Sequence, residues 1–393
     1  MSLRRKLFVI AVVYVVEGFP MGVFTGLWPY FLRDLGVSLT EIGFVAGLSL
    51  LWSLKVFWSP LVDRFGQRSH WISGAQLAMA AGLLALSGFD ESRLLTWVWV
   101  ALTVYCAASA TQDIAIDAFT IGLVDTGDEG PANAMRMTGY RIGMVGLANG
   151  LFFLPRFLDW SGTWIVAAAL QAMMAICVLA MPRVEVPLEA RRETWTALRR
   201  WLSRSGAWGV FAFVLLYRIG DSAMGPMITT FWNDQGLTEE EVGLVSGMAG
   251  GLVVIVGAWI AGSIVSRIGI GRALLGAGGL ALLSNVGYAV VAAYADGSRP
   301  AIYAASLAES FCAGMAGVAF MSFLMRICEK EHAAVQYALL TAIYNLAGSL
   351  LKIPSGAITE AIGYAGYFAL TAAFALPAFA FLPTARRWLH PEP

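Results

Sequence analysis

The sequence predicts an all-α membrane protein whose twelve spanning helices form two six-helix bundles. Three observations carry this reading. Composition is the first: 58% of the 393 residues are hydrophobic and only 13% are charged, against roughly a quarter charged in a soluble domain. Segmentation is the second. Apolar runs of the 18–20 or so residues that a bilayer crossing needs lie near 7–31, 41–62, 70–88, 94–123, 134–155, 161–181, 207–231, 241–265, 272–295, 300–325, 334–356 and 364–383. The third is an internal repeat. "FLRDLGVSLTEIGFVAG" (31–47) aligns without a gap with "FWNDQGLTEEEVGLVSG" (231–247), and "NAMRMTGYRIGM" (133–144) has a weaker counterpart in "QYALLTAIYNLA" (336–347). Two parallel halves, related by an axis along the membrane normal, follow from such a repeat.

The elements can be justified in chain order. "MSLRRKLFVIAVVYVV" has the charge order of a signal peptide, but its apolar run continues through Phe31 with Glu17 inside it and no small-residue cleavage site. It reads as an uncleaved first span. With the N-terminus inside, seventeen of the 26 Lys and Arg fall on inner segments, four on outer loops (Arg33, Arg93, Arg156, Arg299) and five within spans. That asymmetry places both termini in the cytoplasm of a multi-pass inner-membrane protein. The bundles are then 1–181 and 207–393. The charged stretch 182–206 between them has Trp195, Leu198 and Leu202 on one helical face with arginines around it. It reads either as an amphipathic helix under the bilayer or as a solvated linker.

Several function classes are excluded. Net charge is zero, so nucleic acid is not an expected partner. The four cysteines lie in apolar runs without a metal-ligand spacing, and the three histidines sit at predicted ends or loops. No metal site, cofactor or enzymatic triad is therefore expected. A phosphate-binding glycine loop with its lysine is missing, which leaves ATP-driven transport unsupported. The expected partners are the lipid bilayer, protons and a small solute carrying carboxylate or other anionic groups, handled by a functional monomer.

The charges inside the spans point to that solute. Each costs at least about 2.5–3.5 kcal/mol in the hydrocarbon core, so each needs a partner or a wet cavity. "TQDIAIDAFT" (111–120) puts Asp113 and Asp117 one turn apart on one face of the fourth span. Counting 1.5 Å per residue from the cytoplasmic ends, Lys55, Asp117 and Arg141 lie roughly 10–12 Å deep, and Glu17 and Asp113 roughly 15–16 Å deep. Charges of both signs on four spans thus converge on one layer. Asp113, Asp117 and Glu17 are the expected proton-coupling groups. Lys55 and Arg141, with Gln112 and Tyr140, are the expected substrate-binding groups, joined from the second half by Arg218, Asp221 and Glu309. Plainer readings stand beside these. Asp117 and Arg141 can pair merely to lock two helices, Arg218 and Asp221 can neutralise each other, and Arg136 near the cytoplasmic mouth can snorkel to water.

"SPLVDRFGQR" (59–68) presents Asp63, Arg64, Gly66 and Arg68 in a loop that resembles the cytoplasmic gating loop of the major facilitator superfamily. The matching "GSIVSRIGIGR" (262–272) has Ser266 where the acid belongs. Together with "LKVFWSPLVDR", "TQDIAIDA", "GYRIGM", "LYRIGDSAM" and "ESFCAGM", the loop makes the chain similar to AmpG-type permeases. That resemblance implies a major facilitator fold and proton-coupled import of anhydro-muropeptides, with Lys55, Asp113, Asp117 and Arg141 lining the central route. "EGFPMGVFTGLWPYFLR" (17–33) also resembles the RhtX/FptX siderophore permeases, and acetyl-CoA transporters are further relatives. A siderophore or an acetyl-CoA-like anion is therefore the alternative substrate.

Overall fold

The computed structural model describes residues 1–37, 48, 50–87, 91–184, 193–238, 241–294, 297–352 and 354–389. All regular structure among them is helical. The first span is α1 (Leu3–Leu32). Of the second predicted span, residues 41–47 and 49 lie outside the described residues; the remainder is Leu50–Leu54, a tight turn at Lys55–Phe57, and α2 (Ser59–Arg64). There follow α3 (Arg68–Ser87), α4 (Glu91–Leu123), α5 (Glu129–Arg141), which continues into a wider π-type turn at Ile142–Leu147, and α6 (Pro155–Leu179). A short linker helix, Thr194–Leu202, precedes α7 (Ala207–Asp234), α8 (Val242–Ile268), α9 (Ile270–Tyr294), α10 (Arg299–Ile327), α11 (Ala333–Lys352) and α12 (Ser355–Trp388). Eight of these elements are long and apolar enough to cross a membrane. The repeat read from the sequence falls partly on 38–47 and 239–240, outside the described residues.

Stops between helices follow glycine chemistry. Gly66 after α2 and Gly269 after α8 have φ of +71° and +83°, a left-handed conformation that ends a helix at no steric cost only in glycine. The two are counterparts in the repeated loop.

By compactness the chain forms two units: residues 1–124, 135–198 and 328–342 in one, and 125–134, 199–327 and 343–393 in the other. The strip 328–342, which opens α11, is thus grouped with the N-terminal spans. Within the first unit, α1 and α5 approach to backbone contact. A Cβ on Gly18 would lie 2.1 Å from the Tyr140 carbonyl oxygen, and one on Gly143 would lie 2.2 Å from that of Val15. Only glycine permits this approach, and it brings Tyr14 and Glu17 beside α5. At the other end of α1, Trp28, Phe31, Trp160 and Trp164 pack with ring centroids 4.8–5.7 Å apart. Such aromatic pairs add to area burial.

The second unit has its own core of Phe231, Trp232, Tyr288 and Phe368. Its α8 opens with a reciprocal cap. The Thr238 N–H donates to Glu241 at 2.8 Å and the Glu241 N–H donates to the Thr238 hydroxyl at 3.2 Å, satisfying two orphan donors of the helix start. In the linker helix Ala197 and Trp201 are buried, whereas Trp195 and Leu202 face outward.

Candidate functional site

The first unit gathers a buried knot of charge. Tyr14 and Glu17 come from consecutive turns of α1, Lys55 from the tight turn before α2, Asp113 and Asp117 from α4, and Arg136 from α5. Oxygens of Glu17, Asp113 and Asp117 lie within 4.8 Å of one another. The Lys55 ammonium donates to Asp113 Oδ2 and sits 4.0 Å from Asp117 Oδ2. Asp117 Oδ1 accepts from the Tyr14 hydroxyl at 2.9 Å and from Arg136 Nη1 at 2.9 Å. Arg136 also donates to the Tyr337 hydroxyl at 2.6 Å, and its guanidinium lies 4.7 Å from the Tyr14 ring centroid. Lys55 and Asp117 are each 3% exposed. Glu17 Oε2 is buried with no hydrogen-bond partner among the described residues.

Local sequence explains the placement. Pro60 opens α2 and cannot donate the N–H that would continue the helix through Lys55, so the chain tightens there. The Trp58 indole N–H then donates to Thr111 at 3.1 Å, pinning this turn two residues before Asp113.

Arg141 is not the partner of Asp117. It is half-buried, beside Tyr140, and no carboxylate lies within ion-pair distance of it among the described residues. The pair is Asp117–Arg136 instead, and Arg136 does not snorkel. The reason is helix length. The spacing places the start of the fifth span near 134, whereas α5 begins at Glu129. Five extra residues set Arg136 about 7.5 Å further along the helix from its start. Tyr14 and Tyr337 were also outside the sequence reading: Tyr14 lies three residues before Glu17, a spacing that signals a shared face, while Tyr337 is 201 residues from its partner Arg136. Gln112 is fully buried and its amide donates to the Val16 carbonyl at 3.1 Å, which ties α4 to α1. In the second unit Arg218 and Asp221 pair at 3.4 Å along one helix, and Glu309 on α10 lies within electrostatic reach of both.

Three carboxyl groups could together face a cation; here Lys55 is bonded to Asp113 and Arg136 to Asp117, which leaves Glu17 as the member of the three with no cation at ion-pair distance among the described residues.

The loop after α2 is built around Asp63. Its Oδ1 accepts from Arg68 at 3.4 Å and from the Ala334 N–H at 3.3 Å, and its Oδ2 accepts from the Val335 N–H at 3.0 Å. A carboxylate thus caps the first turn of α11, where donors are unpaired and the helix dipole favours negative charge. Arg68 is 3% exposed and also donates to the carbonyls of Ala118 at 2.9 Å and Lys330 at 2.8 Å. Ala118 directly follows Asp117, so the loop and the charge knot share one stretch of α4. Arg64 is exposed, 5.5 Å from the Phe65 ring centroid.

Long apolar helices that bury titratable and cationic side chains are the equipment of a membrane transport protein. The chain belongs to the Major Facilitator Superfamily, whose family model matches residues 10–352. It is 30% identical over 387 residues to the anhydromuropeptide permease of Escherichia coli K12, covering 95% of this chain and 78% of that protein. It is 27% identical over 398 residues to the putative transporter AmpG 4 of Rickettsia conorii, covering 96% and 95%. Among solved structures it resembles the human organic anion transporter MFSD10 (TM-score 0.73, 14% identity, 97% of this chain and 100% of that one). It also resembles the proton:xylose symporter XylE (TM-score 0.72, 12% identity, 96% and 94%). At these identities the structural matches show the shared major facilitator fold.

Proposed function

We propose that the protein imports anhydro-muropeptide-like cell-wall fragments across the inner membrane, coupled to protons, as a monomer with both termini in the cytoplasm. The similarity to the Escherichia coli permease along nearly the whole chain supports the substrate class. A single observation carries the mechanism: three carboxyl groups and two cations share one buried knot. Fully ionised, the knot holds one net negative charge, and one added proton makes it neutral.

Asp117, held by Arg136 and Tyr14, organises the knot. The Glu17–Asp113 pair takes the proton, since no donor reaches Glu17 Oε2 among the described residues. Protonation frees the Lys55 ammonium from Asp113, and Lys55 then binds a carboxylate of the solute by a charge-assisted bond. Arg141, with no acid at ion-pair distance among the described residues, supplies a second anchor. After the solute leaves, Lys55 returns to Asp113 and expels the proton. The Asp63 cap on α11 holds the cytoplasmic side shut, and its loss shifts the population of states. Arg64, Gly66 and Arg68 complete that gate. In the second half, Arg218, Asp221 and Glu309 are the solute-binding groups.

The test is uptake of labelled anhydro-muropeptide against a ferric siderophore in proteoliposomes, with and without an inward proton gradient. Gradient-dependent uptake of the muropeptide alone supports the proposal; uptake of the siderophore alone refutes the substrate.

A further inference from the structure

The second copy of the gating loop poses a problem the first does not. In the first copy Arg68 is neutralised by Asp63. In the second, Ser266 stands where the acid belongs, and its hydroxyl donates back to the Gly262 carbonyl at 3.1 Å. Gly271 falls where Arg68 would, and Arg272, the next residue, is exposed and has no carboxylate within ion-pair distance among the described residues. A cavity of about 390 Å³ opens at this point, lined by Ile268, Ile270, Arg272, Arg326, Arg386 and Leu389 among others. Arg326 is spent on Glu129. Arg386 is not: its Nε and Nη2 donate to the Gly271 carbonyl at 3.1 and 2.8 Å, a neutral acceptor. Among the described residues, two guanidinium groups without a carboxylate at ion-pair distance therefore face one pocket. The first turn of α9, whose N–H groups have no acceptor within the helix, adds to the positive field.

We propose that this pocket binds the phosphate of an anionic phospholipid, which supplies the negative charge that Ser266 no longer provides. Position argues for a lipid rather than a soluble phosphate. The pocket lies where α8, α10 and α12 end and α9 begins, at the edge of the membrane on the side that the Lys and Arg distribution assigns to the cytoplasm. Its lining is half apolar, and Ile268 beside it and Leu275 on the next turn of α9 are 47% and 48% exposed, which suits the glycerol and the upper acyl chain. Basic pockets between spans on this side are the kind that hold anionic head groups, and Arg is the residue that grips a phosphate bidentately.

The experiment uses the full chain, delipidated in mild detergent and titrated with phosphatidylglycerol or phosphatidylcholine under native mass spectrometry. One tightly bound phosphatidylglycerol is expected, with phosphatidylcholine of the same chains much weaker. Arg272→Gln should weaken that lipid about fivefold and Arg272→Gln/Arg386→Gln about twenty-fivefold, while Arg156→Gln, in the first turn of α6, changes nothing. Arg272 is exposed and carries no bond to Gly271, so the single variant decides the matter even where Arg386→Gln, which loses that bond, unfolds. Unchanged affinity in Arg272→Gln, or equal binding of the two lipids, overturns the proposal. Displacement of phosphatidylglycerol by millimolar inorganic phosphate overturns the lipid as the source of the anion.

Discussion

Replacing Lys55 by methionine removes one charge and keeps most of the volume. What it leaves behind sets the magnitude. Asp113 loses its ammonium donor, and Asp117 loses a positive charge 4.0 Å away. Both acids remain beside Glu17, within 4.8 Å oxygen to oxygen. Because Lys55 is 3% exposed and Asp113 13%, this is no surface pair of the kind worth under about 1 kcal/mol. Breaking a buried pair by deleting one partner costs about 3–5 kcal/mol, because the other charge stays buried alone. Replacing both partners by apolar side chains is often near neutral for the same reason. Lys55→Met should therefore destabilise the folded chain by about 3–5 kcal/mol, and Lys55→Met/Asp113→Leu should recover most of the loss. The coupling energy of that cycle should exceed about 2 kcal/mol. The assay is reversible unfolding of the full chain in mixed micelles for the four proteins of the cycle, with uptake in proteoliposomes measured alongside. The double variant should be folded and inactive. A Lys55→Met protein within about 0.5 kcal/mol of wild type, the range of ordinary surface substitutions, refutes the buried pair.

The two arginines of the fifth span should behave differently. Arg141→Gln should raise KM about tenfold to a hundredfold, the worth of one charged hydrogen bond, with kcat kept. Arg136→Gln should lower both kcat and stability, because it strips Asp117 of its guanidinium; equal KM effects in the two would contradict their separate roles. Asp63→Asn keeps the shape of the cap on α11 but weakens its charge, so cytoplasmic label accessibility should rise with substrate affinity retained, and unchanged accessibility would argue against the gate. Glu241 is pushed down to about 2 by the Tyr303 hydroxyl, the Thr238 N–H and Arg299. A lowered folded-state value means stability that is present above the ordinary carboxylate range and lost as pH falls toward 2. The stability gap between wild type and Glu241→Gln should thus be full at pH 6 and close as the pH is lowered toward 2; a gap that is independent of pH would show that the carboxylate charge is not what stabilises this turn.

Much of the fold was legible because the membrane imposes it. Long apolar runs are a direct consequence of crossing a bilayer, and every predicted span beyond the second meets a helix. The meeting of Glu17, Lys55, Asp113 and Asp117 was legible for a related reason: charge in an apolar run is costly, and equal depth on neighbouring spans is all that pairing requires. Which arginine joined them was not. Gly130 and Pro131 near the start of α5 look like a boundary, yet proline is well tolerated in a first helical turn. The helix starts at Glu129, and that one turn exchanges Arg136 for Arg141. Tyr337 was beyond reach, since nothing local links it to Arg136. The cap of Asp63 on α11 was legible only as a resemblance, because its partners are backbone N–H groups that carry no sequence signature.

The central claim is that the Glu17–Asp113 pair carries the coupled proton. It is tested most directly by Glu17→Gln and Asp113→Asn, each assayed both for uptake driven by a proton gradient and for gradient-independent exchange of labelled anhydro-muropeptide. A coupling group should lose the first and keep much of the second, so at least one variant should exchange without accumulating. Gradient-driven accumulation by both variants at wild-type levels would contradict the account.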